Sequence, residues 1–142
     1  MRPRKRSMQM SGSLANVLRD TSLSLKVLQL LSETSYDSIL ITDASKAAKV
    51  VYANKAFGKL TGYRPSEVIG KSPRFLQGAG TDRRVIARLG QALKSGGRFD
   101  GQAINYRKDG TPFIMFWRVL PVKSGRQTKF WVAIQREGFA VR

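Results

Sequence analysis

The chain has 142 residues, carries 26 lysines and arginines against 9 acidic residues for a formal net charge of +17, and contains neither cysteine nor histidine. Those two absences exclude a disulfide framework, a thiolate zinc site, histidine-ligated haem and any hydrolase built on a Ser-His or Cys-His pair. The charge points to anionic partners, nucleic acid among them, although no interleaved aromatic and basic motif accompanies it.

One domain with a short appendage fits this length. Residues 1–11 are polar and basic (Arg2, Arg4, Lys5, Arg6) and are expected to be a disordered tail. Residues 12–34 are predicted to be helical. Leu14, Leu18, Thr21, Leu25 and Leu28 form one apolar stripe at spacings of three and four, and Leu23, Val27, Leu30 and Leu31 form a second. Two stripes exceed what one contact covers, so one can pack on the domain and the other either on the domain as well or on a second subunit. No apolar run of membrane-spanning length appears, and no secretory signal follows the basic N-terminus; the cytoplasm is the expected compartment.

Ser38–Asp43 and Val50–Ala53 read as strands rich in Ile, Val and Tyr. A short helix is predicted from Asn54 to about Gly62, and Pro65 opens another through Ile69. Thr81 and Asp82 are expected to cap a longer helix to about Leu93, with Val85, Ile86, Leu89 and Leu93 on its core face and Gly96-Gly97 ending it. Three strands should follow, at about 99–107, 111–122 and 128–136, joined by turns at Lys108-Asp109-Gly110 and Ser124-Gly125-Arg126. The pattern predicts an α+β domain with short helices on one face of an antiparallel sheet, leaving a hollow suited to a ligand.

Residues 70–78 read Gly-Lys-Ser-Pro-Arg-Phe-Leu-Gln-Gly. With Ile41-Thr-Asp43, Val51-Tyr-Ala-Asn-Lys-Ala-Phe57, Leu60-Thr-Gly-Tyr63 and Asn105-Tyr-Arg-Lys-Asp-Gly110, this stretch resembles the light-oxygen-voltage (LOV) branch of the PAS superfamily over residues 36–137. The resemblance implies the PAS fold: a five-stranded antiparallel sheet with short helices on one face and an N-terminal flanking helix. It also implies flavin mononucleotide (FMN) as cofactor, with Arg74 on the phosphate, Gln77 on the ribityl chain, Asn105 on the ring edge and Gln135 near flavin N5 as signal relay. Other pocket positions depart from the family pattern. Pro73 stands where the signature has its photoactive cysteine, and Ser72 where it has asparagine. Met115 replaces the second ring-edge asparagine, Gly90 the second phosphate arginine (with Arg88 close by), and Trp117 a smaller apolar residue.

A cysteinyl-flavin photoadduct is chemically impossible in this chain. With Lys108–Gly110 as the turn, Ala103 falls opposite Met115 and Gly101 opposite Trp117, so Trp117 is expected to lean over Gly101 into the space of a flavin ring. The leading expectation is a non-catalytic sensory or interaction module in signal transduction. It would act as a homodimer, with Phe116 and Leu120 on the outer sheet face; the sequence stops soon after Gln135, so either output reaches a separate partner protein or the chain is a fragment. A cysteine-free flavoprotein sensing light or redox state is the alternative, and a basic nucleic-acid-binding protein the third. No metal site and no catalytic set is legible.

Overall fold

The computed structural model describes residues 19–139. Two units make up these residues, one up to Ser32 and one from Glu33 onward. In the first, the helix α1 covers Thr21–Thr34 and buries none of its residues. The sequence pattern predicted an unbroken helix through this point, but a turn occupies Arg19 and Asp20. The Asp20 carboxylate accepts hydrogen bonds from the backbone amides of Ser22 and Leu23 and so caps the start of α1. The expected disordered tail at 1–11 and helical stretch at 12–18, with Leu14 and Leu18, lie outside the described residues.

The second unit is an α+β domain. Strands β1 (Ser38–Asp43) and β2 (Val50–Ala53) precede helices α2 (Lys55–Thr61) and α3 (Pro65–Val68), a 3-10 turn (Pro73–Leu76) and helix α4 (Arg83–Ser95). Strands β3 (Phe99–Tyr106), β4 (Pro112–Ser124) and β5 (Gln127–Glu137) complete an antiparallel sheet of order β2-β1-β5-β4-β3. The strand bounds agree with the alternation in the sequence to within about two residues. The turns form where predicted: Gly110 has φ 87° and Gly125 φ 61°, values open to glycine without a Cβ penalty.

Alternation assigns the faces. Along β4, Phe113, Met115, Trp117 and Val119 are buried while Phe116 and Arg118 are exposed. The pairing then lines up inner residues across strands. Ser38 faces Gln135, which faces Trp117, which faces Gly101; Leu40 faces Ala133, which faces Val119, which faces Phe99. The core gathers these around Phe57, Val68 and Leu76.

Asn54 ties the first strands to the helices. It is fully buried; its Oδ1 accepts from the amides of Ile39 (2.9 Å) and Phe57 (3.0 Å), and its Nδ2 donates to the Asp37 carbonyl (3.0 Å). One side chain therefore caps α2 and pins the start of β1. Thr81, predicted as a helix cap, has a different task. Asp82 caps α4 through the Arg84 amide, whereas the Thr81 hydroxyl accepts from Gly78 N and donates to the Ile104 carbonyl, fastening the loop before α4 to β3. Asn54→Ala leaves two buried amides and a carbonyl without partners and is expected to cost about 2–4 kcal/mol. Urea unfolding should show it as a lower midpoint at unchanged slope; a loss below about 0.5 kcal/mol would contradict this role.

Candidate functional site

Helix α4 and the 3-10 turn stand off the inner sheet face and leave a cavity of about 190 Å³. Pro73 opens the 3-10 turn with its φ already fixed, so Ser72, Pro73, Arg74 and Gln77 follow one another along the wall. The sheet contributes Trp117 and Gln135, and α4 contributes Ile86, Leu89 and Gly90. A third side is the loop after β1, with Lys46, Ala47 and Ala48. The Asp43 carboxylate shapes that loop by accepting from the Ser45 hydroxyl, the Ser45 amide and the Lys49 amide. The Ser45 hydroxyl bond, first among these contacts, holds the Asp43 carboxyl below the usual carboxylate range.

The structure thus brings together seven of the nine family positions named above: Ser72, Pro73, Arg74, Gln77, Gly90, Trp117 and Gln135. Asn105 and Met115 are buried in the core and do not line the cavity. The Asn105 amide nitrogen donates to the carbonyl of Ala103 in its own strand (3.3 Å). Gln135 Oε1 accepts from the Ser38 hydroxyl (2.9 Å), and Gln77 Oε1 accepts from the Arg83 guanidinium (2.9 Å). Arg88 does not line the cavity; its guanidinium sits 5.5 Å from the centre of the Phe99 ring. The expected contact over Gly101 is made by a different ring. A Cβ on Gly101 would come within 2.5 Å of Phe99, whose ring lies 5.2 Å from that of Trp117. Phe99 therefore fills the space above Gly101, and Trp117 packs against Phe99.

Trp131 and Lys46 are among the lining residues that the sequence motifs did not single out. Trp131 lies four residues before Gln135 on β5, so the two share a face, and that alternation was the available signal. Both tryptophans of the chain line this one cavity.

The residues present do not fit a flavin ring. Sites for drug-sized ligands run to about 300–1,000 Å³, and this one falls short. Among the described residues, no buried side-chain polar atom is left without a partner to receive a ring edge. The phosphate end keeps Arg74, which is exposed and enters no ion pair among the described residues.

No acidic side chain lines the cavity, and the described residues hold no group of three or more metal-binding side chains. Glu67, Asp82 and Asp109 are held below the ordinary carboxylate range by Lys108, by Arg84 and by the Thr111 amide respectively, and none of them lines the cavity.

An antiparallel five-stranded sheet with helices over a hollow is an α+β domain with room for a small ligand on its inner face. The sequence profile of the PAS domain matches residues 37–137. Rice (Oryza sativa subsp. japonica) phototropin-2 is 40% identical over 96 residues, covering 66% of this chain and 11% of that protein. The LOV domain of a blue-light activated histidine kinase from Erythrobacter litoralis EL346 superposes with a TM-score of 0.68 at 32% identity, over 71% of this chain and 94% of that one. A structure described as an RNA-binding light-oxygen-voltage receptor superposes with a TM-score of 0.79 at 28% identity, over 91% of this chain and 36% of that one. The chain belongs to the PAS domain family, in its LOV branch. It is a sensory signalling module of that type, and it has no thiol with which to form the cysteinyl-flavin adduct. The chain spans about a tenth of the length of the rice phototropins it matches.

Two glycines test the packing around the cavity. Gly101→Ala drives a methyl group into Phe99, already wedged against Trp117, and is expected to destabilise by about 1–3 kcal/mol. Gly90 lies inside α4, and a Cβ there would meet nothing within 4 Å. Gly90→Ala is expected to stabilise by about 0.5–1 kcal/mol. Thermal or urea unfolding compares the two; equal effects of one sign would contradict the assigned packing.

Proposed function

We propose that the chain signals through protein–protein contacts, as a homodimer that docks a separate partner, without catalysis and without tightly held flavin. The observation that carries this reading is the amount of apolar surface left uncovered. On the outer sheet face Phe116 is 41% exposed, Val122 44% and Phe130 43%, next to Ile104 and the half-buried Leu120. In α1, Leu23, Leu25, Leu28, Leu30 and Leu31 are all more than half exposed. Several large apolar side chains left exposed on one sheet face and along one helix favour an interaction site. The relatives support a role inside larger assemblies, since their LOV segments are small parts of long proteins. Among the described residues no helix is long and apolar enough to cross a membrane, and we place the module in the cytoplasm. Light scattering should report a dimer for the full chain and a monomer for a chain starting at Tyr36. Phe116→Glu in the full chain should weaken the dimer about tenfold or more, because it places a charge in the apolar interface. A monomeric full chain would overturn the reading.

Flavin sensing is the second reading. The phosphate-side residues Arg74 and Gln77 favour it, while Trp117 and the self-satisfied Asn105 oppose it. Weak FMN binding follows. Trp117→Leu opens the ring side and is expected to raise FMN affinity by about tenfold or more, read by quenching of flavin fluorescence. An unchanged affinity would show that Trp117 is not the obstacle. The nucleic-acid reading rests on the charge of +17 and on likeness to the RNA-binding receptor, of which the chain covers only 36%. It ranks third because the exposed aromatics Phe116 and Phe130 lie on the apolar sheet face that the first reading assigns to protein contacts.

A further inference from the structure

The cavity has a definite size, a definite wall chemistry and two unpaired charges at its mouth, and together these specify a ligand. A cavity of about 150 Å³ lined by aliphatic and aromatic side chains accepts a benzene molecule. The present one, at about 190 Å³, accepts a single ring with a short arm. Its wall is mainly apolar, made by Leu40, Leu89, Val119 and the two tryptophans. Aromatic faces favour an aromatic guest through stacked or edge-on contacts. At the mouth stand Lys46 and Arg74, the lining residues that carry charge; both are exposed, and neither forms an ion pair among the described residues. Both are thus available to a ligand. A guanidinium fork matches a carboxylate in two parallel hydrogen bonds, and a lysine beside it adds a second positive charge. The Asp43 carboxylate, the nearest acidic group in sequence to Lys46, is engaged by Ser45 and Lys49 in shaping the loop.

We propose that this chain binds a small aryl carboxylate, with its aromatic ring against the tryptophan-lined wall and its acid group on Arg74 and Lys46. This deepens the reading of a sensory module free of tight flavin and rests on it: the altered pocket has exchanged a three-ring cofactor for a one-ring acid. Such a ligand bears on signalling through β4 and β5, because Trp117 and Trp131 share those strands with the apolar outer face at Phe116 and Phe130.

Both tryptophans line the cavity, so intrinsic emission reports its occupancy without a label. The purified full chain is titrated with benzoate, phenylacetate and 3-phenylpropanoate, with calorimetry as a second readout. At least one acid should saturate the emission change at one per chain, with a dissociation constant below about 1 mM. Phenylacetamide, which keeps the ring and removes the charge, should bind about tenfold or more weakly. Lys46→Ala with Arg74→Ala should weaken the acid by a similar factor. These are exposed side chains, so the melting temperature without ligand should hold. No saturable change with any of the three acids would overturn the proposal. Equal binding of acid and amide would also overturn it, since the cavity would then recognise a ring and not a carboxylate. FMN displacing the acids at equal concentration would overturn both this proposal and the flavin-free reading. Light scattering on the same samples separates the two claims: a dimer that binds no acid removes only the ligand, and a monomer that binds it removes only the dimer.

Discussion

The antiparallel register of β4 with its two neighbours is the constraint on which the rest depends. It sets Trp117 between Gln135 on one side and Gly101 on the other, and it continues through Gln135 to Ser38 on β1. A slip of one residue would turn Met115, Trp117 and Val119 out to solvent and bring Phe116 and Arg118 inside. The buried charge and the lost apolar area would make that register far less stable. Burial of one face therefore fixes the register, and the register then decides which residues line the cavity. It also sorts the outer face, where Ile104, Phe116, Val122 and Phe130 are left without cover.

Inside, one exchange of volumes accounts for the shape of the site. Gly101 has no side chain, and the ring of Phe99, two residues earlier on the same strand, folds over it. Trp117 packs on that ring, and the Arg88 guanidinium lies over it from α4. Space that an ancestral cofactor ring would have used is filled by protein. The Asn105 amide turns back to its own strand, and Gln135 is held by Ser38, so the polar groups inherited with the family pattern satisfy one another. Arg74 and Lys46 differ: both line the cavity, exposed and without an ion pair among the described residues.

Much of this was legible in the sequence because it is local. Alternation placed β1 and β2 to the residue, the turns at Asp109-Gly110 and Gly125 placed the hairpins, and Asn54 and Pro65 marked helix starts. The facing of Met115 by Ala103 and of Trp117 by Gly101 followed from one turn. What escaped depends on packing between distant segments. The insertion of β1 beside β5 pairs residues almost a hundred positions apart, and no local signal announces it. Thr81 has the composition of a helix cap, yet its hydroxyl is drawn to Ile104 across the chain. Phe99 outcompeted Trp117 for the space over Gly101 because it sits on the same strand and needs no long reach. Trp131 was overlooked because attention fell on motif positions, although its place four residues before Gln135 put it on the same wall.

The central claim is that the inner face, as packed, closes the flavin-ring site while keeping the domain intact. The visible absorption spectrum of the freshly purified full chain, taken after saturation with FMN and removal of the excess, tests it most directly. The account predicts a folded, colourless protein, with flavin present at a small fraction of one per chain. A yellow protein retaining one flavin per chain, with the structured absorption of a ring held in a fixed environment, would contradict it and would mean that Phe99 and Trp117 do not occupy the ring site.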